Sequence, residues 1–207
     1  MTAVPDPQRI IVRSELGLGH INLCGDPTDA SFMRCVKNVL GVDLPSRPNT
    51  IQQGADVVAY WLGPTEWLLV TPAERESAIA SGLRNKLSDQ FVSVVEVSGG
   101  HVVLHLCGNR VRDVLAKGCP VDLREGTFVL GQCAQSHLAK APVLLRPVAN
   151  GVELIFPRSF ADYLERWLAS AAQDYGGWVE HPASAMTPQG ISSGPNLLDD
   201  RDVGTSA

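Results

Sequence analysis

The chain has no Cys-x-x-Cys pair, no excess of basic residues, no apolar run long enough to cross a bilayer and no glycine loop of the phosphate-binding type. Each absence removes a class of function. The five cysteines, Cys24, Cys35, Cys107, Cys119 and Cys133, are odd in number and widely spaced, so neither a disulfide framework nor a zinc site follows. With 17 Lys and Arg against 22 Asp and Glu, the net charge of −5 offers nothing to a polyanion, and nucleic acid is not an expected partner. No stretch approaches the roughly 18 apolar residues of a membrane span. The opening "MTAVPDPQ" lacks the basic-then-apolar order of a secretory signal, so the expected location is cytoplasmic with no membrane partner. "GLGHIN", Gly17 to Asn22, is half of a dinucleotide fingerprint: it lacks the third glycine and precedes a strand instead of following one. There is no Gly-x-Ser-x-Gly elbow and no histidine pair at metal-binding spacing. No catalytic, cofactor-binding or metal-ligating residue is assigned.

What is present is an ordinary globular composition, 44% hydrophobic and 19% charged over 207 residues, enough for one body of two halves. Strand-like runs recur at "GHINL", "DVVAYWL", "EWLLV", "FVSVVEV", "HVVLHL", "PVLLRPV" and "GVELIF", rich in residues that suit a pleated surface. Tight turns at "GPTE", "SGG" and "ANG" make the sheet at least partly antiparallel. Four helices are expected between them. The first is capped by Asp26 with Pro27 in its first turn, the second opens on Thr71, Pro72 and Glu74, the third on Asn109, and the fourth on Ser159. The fourth carries a broad apolar stripe through Phe160, Tyr163, Leu164, Trp167, Leu168 and Ala171.

A short internal repeat orders these elements. Leu23-Cys24-Gly25 matches Leu106-Cys107-Gly108; each is followed by a helix, a glycine and Val-Asp-Leu, and later by a strand ending on proline before another helix. The expected fold is α+β, two ferredoxin-like split βαβ halves with a mostly antiparallel sheet. The expected organisation is a flexible N-terminus over 1–8, one domain over 9–175 with halves at about 18–98 and 101–175, and a flexible tail over 176–207, rich in Gly, Pro and Ser, in which Trp178 is the one anchor.

Several residues invite chemistry. Cys119 lies beyond the C-terminus of the third helix, where the helix dipole disfavours a thiolate, and no sequence pattern pairs a histidine with it; a small apolar packing role is favoured over a nucleophile. His101 and His105 share one face of a strand, which reads as a solvated face in preference to a metal or acid–base pair. His20 and His137 carry no motif. Arg146, Arg158 and Lys140 read as ordinary surface charge, with an anion site as the alternative.

The blocks "INLCGDPTDASFMRCVKNVLGVDLPSRPNT", "AYWLGPTEWLLVTP", "VVEVSGGHVVLHLCGNRVRDVLAKGCPVDLR", "CAQSHLAKAPVLLRPV" and "RSFADYLERWL" together resemble the gamma subunit of heterotetrameric sarcosine oxidase over about Ile21 to Tyr175. The resemblance implies the folate-binding fold of aminomethyltransferases and a place beside alpha, beta and delta subunits. It implies an oxidoreductase complex that demethylates sarcosine to glycine with hydrogen peroxide and delivers one carbon to tetrahydrofolate. FAD, FMN, NAD and tetrahydrofolate are implied on the other subunits and none on this chain, which is expected to be non-catalytic alone. The alternatives are a subunit of a related N-methyl amino acid oxidase or dehydrogenase, or a stand-alone aminomethyltransferase-like protein. Trp61 and Trp67, flanking one hairpin, are the candidate anchors for a partner interface, with packing in the chain's own core as the competing use.

Overall fold

The computed structural model describes residues 10–181. The expected 1–8 terminus and the tail beyond residue 181 lie outside the described residues. Strands β1 (Ile10–Glu15) and β2 (Leu18–Cys24) lead into helix α1 (Ala30–Leu40), then β3 (Ile51–Gln53), β4 (Val58–Gly63), β5 (Glu66–Pro72), α2 (Ala73–Lys86) and β6 (Ser93–Glu96). The second half runs β7 (His101–Cys107), α3 (Val111–Ala116), β8 (Ala134–Leu138), β9 (Ala141–Val148), β10 (Gly151–Pro157), α4 (Ala161–Ala171) and β11 (Trp178–His181).

The strands form two sheets, one in the order β3-β4-β5-β2-β6 and one in the order β11-β1-β7-β10-β9-β8. All neighbours are antiparallel except β1 and β11, which run parallel. The repeat seen in the sequence is matched pair for pair. In the first half β2 runs against β5 from Leu18↔Pro72 to Cys24↔Glu66, and in the second β7 runs against β10 from His101↔Pro157 to Cys107↔Gly151. Each half is thus a split βαβ unit around a seven-residue pair of strands.

The two halves differ in what closes them. In the first, β6 follows α2 and pairs with the free side of β2. In the second, that place beside β7 is taken by β1, which precedes the first half. Only then does β11, the segment after α4, add outside β1. The repeated elements fall within 18–98 and 101–175, but the second sheet also draws on residues before and after them. The start of the expected mobile tail is therefore an edge strand at Trp178–His181.

Period-two burial sorts the side chains into three cores. Ile21, Leu23, Trp67 and Leu69 face α1 and α2; Leu104, Leu106, Val152 and Leu154 face α3 and α4; Val58, Tyr60, Val70, Val103, Leu144 and Ile155 meet between the sheets. The molecule is four layers deep, helices, sheet, sheet, helices, and each sheet is covered on both faces. Full burial of each such aliphatic side chain stabilises by about 1.5–3 kcal/mol before conformational entropy is counted.

The helix starts differ from expectation. Asp29, not Asp26, caps α1, accepting from the amides of Ser31 at 2.7 Å and Phe32 at 3.4 Å. Asp26 instead turns the chain ahead of it by holding the amide and hydroxyl of Thr28. Helices α2, α3 and α4 have no side-chain cap: Thr71 donates to the Asp56 carbonyl, and the residues before the helices are Pro72, Arg110 and Phe160. Gly41 ends α1 in the left-handed region at φ 71°, as helix C-termini favour.

Gly151 opens β10 where the backbone of β7 passes closest: a Cβ there would stand 1.8 Å from the Leu106 carbonyl oxygen, a backbone atom with no room to yield. Gly151→Ala is expected to destabilise the fold by about 1–3 kcal/mol or more, measured by urea unfolding. A loss below about 0.5 kcal/mol would show that the two strands are not held this close.

Candidate functional site

Alternation along the strands determines what reaches the layer between the sheets. Because Ile21 and Leu23 face the helices, His20 and Asn22 face the other sheet; because Leu104 and Leu106 face helices, His101, Val103 and His105 face inward. Cross-strand register then places Arg13, His105, Glu153 and Arg146 in one row across β1, β7, β10 and β9. Side chains opposed in this way are direct neighbours on the sheet surface.

Glu153 is the centre of that row and is 5% exposed. Arg146 grips its carboxylate with both arms, Nε to Oε1 at 2.7 Å and Nη2 to Oε2 at 2.8 Å. From the opposite sheet the Tyr60 hydroxyl donates to Oε1 at 2.6 Å, and the Arg146 guanidinium lies 5.6 Å from the Tyr60 ring centroid. Glu15 completes the cluster, its carboxylate 3.9 Å from His105 Nδ1, while the Cys107 sulfur stands 3.6 Å from the other ring nitrogen.

Burial dominates the titration of this layer. It pushes the Glu15 carboxyl up, with repulsion from Glu153 in support, and pushes the Tyr60 hydroxyl well above its ordinary value. Burial lowers His105, and lowers His20 to about 4 with help from His101, whose ring stacks on it at 5.4 Å. Both imidazoles are neutral at pH 7. Among the described residues, neither ring nitrogen of His20 has a hydrogen-bond partner. The charged members are satisfied by one another, so the arrangement ties one sheet to the other and offers no free nucleophile or base to solvent.

The structure corrects two expectations here. His105 does not lie on a solvated face: it is 2% exposed, because the first sheet covers the face that alternation left polar, while His101 on the same face is half-buried at the edge of that cover. Arg146 is buried against Glu153, and so does not gather with Arg158 and Lys140, which are exposed; Arg158 holds the carbonyls of Gly99 and His101. Cys119 packs in the core behind the second sheet, within 3.9 Å of the Ser136 hydroxyl. Trp61 and Trp67 are opposed on β4 and β5, as their hairpin suggests, yet they part in environment. Trp67 is buried beneath α1, its ring 5.9 Å from Phe32 and its Nε1–H donating to the Pro45 carbonyl at 2.9 Å, so it presents nothing to a partner. Trp61 remains half-buried at the surface.

Tyr60, Glu153 and Glu15 were not singled out by motif; the available signal was one glutamate inside the otherwise apolar run "GVELIF". Beside the cluster the sheets splay into an open cleft of about 510 Å³. Its walls are mostly apolar, with Asn22, His101, Gln135 and His137 as its polar side chains of amide and imidazole type.

Removing the carboxylate should expose what the cluster holds. Glu153→Ala, which strands the buried Arg146 charge, is expected to cost about 3–5 kcal/mol. Tyr60→Phe, which keeps the ion pair, should cost about 1.5–3 kcal/mol. Equal losses would contradict this division. Acid should weaken the fold through the histidines. Their folded pKa values lie below the unfolded value of 6.5, so their contribution is intact above about that pH and is lost as pH falls towards 4. Glu15, raised from 4.5, opposes them by stabilising at the acid end, but it is one group against two. His20→Leu should flatten the decline in urea-unfolding stability between about pH 6.5 and 4. An unchanged slope would show that His20 does not carry it.

Comparison with known proteins follows this architecture. No curated protein matches the chain. One chain of the heterotetrameric sarcosine oxidase from Corynebacterium sp. U-96, solved in complex with pyrrole 2-carboxylate, superposes with a TM-score of 0.77 at 25% identity, over 84% of this chain and 89% of that one. The glycine cleavage system aminomethyltransferase T from Bartonella henselae shares the fold, with a TM-score of 0.56 at 15% identity over 86% of this chain and 49% of its own length. This chain spans about half of that enzyme. A sequence profile for the sarcosine oxidase, gamma subunit family matches residues 24–174, and the chain belongs to that family.

Proposed function

We propose that this chain is the non-catalytic, accessory gamma subunit of a heterotetrameric sarcosine oxidase, beside alpha, beta and delta subunits. The complex oxidatively demethylates sarcosine to glycine with formation of hydrogen peroxide and passes the one-carbon unit to tetrahydrofolate. FAD, FMN, NAD and tetrahydrofolate are held on the other subunits. The observation that carries the reading is family membership over residues 24–174 together with a superposition covering nearly the whole related chain.

The chemistry of the chain agrees. Glu153 is held by Arg146 and Tyr60, His105 lies beside Glu15, and Cys119 packs in an apolar core. Among the described residues no group of three or more histidine, cysteine or acidic side chains could hold a metal, and no helix is long and apolar enough to cross a membrane. What this chain supplies is a rigid double-sheet body with Trp61 at its surface as one partner contact. We place the complex in the cytoplasm, and the domain proper at 9–175.

The test is recovery of the tagged chain from the cells that make it. Larger chains carrying flavin absorption and sarcosine-dependent peroxide are expected to come with it. A colourless preparation of this chain by itself would refute the reading.

A further inference from the structure

One edge of the second sheet is built differently from its counterparts. Among the described residues, β8 pairs only with β9, through a two-residue turn at Ala139 and Lys140 closed by Leu138 and Ala141. In such a hairpin the hydrogen-bonded pairs alternate from the closing one. His137 therefore faces Pro142, which has no N–H to give, and the N–H and C=O groups of His137 and Gln135 point away from β9. Just before β8 the same side of the chain is in use: Cys133 N–H donates to the Asn49 carbonyl and the Gly131 carbonyl accepts from Ile51. That pairing stops at residue 133, and the edge continues open.

Two of the other edges are blunted. The Arg84 guanidinium donates to the Val94 carbonyl of β6 at 3.1 and 3.2 Å, and β3 is three residues long. Among the described residues the β8 edge has no such cover; its Gln135 and His137 side chains line the cleft between the sheets, where Gln135 Nε2 donates to the Leu62 carbonyl at 2.6 Å. No lining residue is acidic, two are histidines, and the exposed Arg158 sits against His101 at the mouth. This is an amide- and imidazole-bearing rim around apolar walls, with the Arg158 guanidinium bonded to the carbonyl of its residue His101.

Resting on the subunit reading above, we propose that the β8 edge and the cleft beside it receive an extended segment of a partner subunit, added as one more strand of the six-stranded sheet. Its backbone pairs with Gln135 and His137, and its alternate side chains enter the cleft, where Leu62, Leu144 and Ile155 take an apolar group and Arg158 an acidic one. The two lips fit this mode: an open row of backbone groups supplies affinity, and the pocket beneath it supplies selection. Trp61 precedes the cleft residue Leu62 in sequence, and its amide bonds the Thr50 carbonyl beside this edge.

The test compares amide exchange in the purified complex and in the full chain expressed alone. Exchange at Gln135 and His137 should slow by about tenfold or more in the complex. His137→Pro removes only an outward-facing donor, so its Tm should match the wild type while co-recovered partner falls about tenfold. If that variant proves unstable, the exchange comparison on the wild-type complex decides by itself. An intact complex with unchanged exchange at both residues overturns the docking proposal and leaves the subunit role standing. So does a dimer of this chain that His137→Pro dissociates, which would assign the edge to a second copy. Failure to recover any flavin-bearing partner overturns the subunit role and the docking proposal with it.

Discussion

The buried carboxylate of Glu153 is the point on which the two halves depend. It belongs to the second sheet, is gripped by Arg146 from the neighbouring strand, and accepts a hydrogen bond from Tyr60 on the first sheet, 93 residues away in sequence. The apolar residues around it would pack nearly as well with one sheet slid against the other. A charged group cannot slide, because any shift leaves a buried carboxylate or guanidinium without its partner. An ion pair in such a place adds little net stability compared with apolar packing of the same volume. What it contributes here is a single alignment of two similar units, which matters for a body whose surface must match another protein.

That alignment joins two similar units into one body. Each half brings the same seven-residue strand pair, and where the pairs meet Tyr60, Arg146 and Glu153 satisfy one another. The N-terminal strand, inserted beside β7, locks the halves further by making the second sheet depend on residues that precede the first. Among the features left at the surface are a half-buried tryptophan, an open sheet edge and a cleft.

Much of this was legible in the sequence. The period-two runs and their punctuation gave the strands, the Leu-Cys-Gly repeat marked the ends of β2 and β7, and the long collinear blocks identified the family that the profile and the related structure support. The misreadings share a cause. Alternation tells which residues share a face and not what covers it, so in a four-layer body a face that reads as solvated lies beneath another sheet at His105 and is only half-covered at His101. Trp61 and Trp67 point to the same side of the first sheet, and only α1, with Phe32, decides which is buried. Asp26 and Asp29 are chemically equal as caps, and the choice between them rests on where the turn held by Thr28 ends. Trp178 sits in a composition suited to a loose tail, yet β1 offers an edge on which it adds as a strand.

The central claim, that this fold exists to be one subunit among several, is tested most directly by the native mass of the assembly after gentle lysis. The account predicts one copy of this 22.2 kDa chain in a particle with three other kinds of chain. A sole species at 22.2 kDa, or an oligomer of this chain alone, would contradict it.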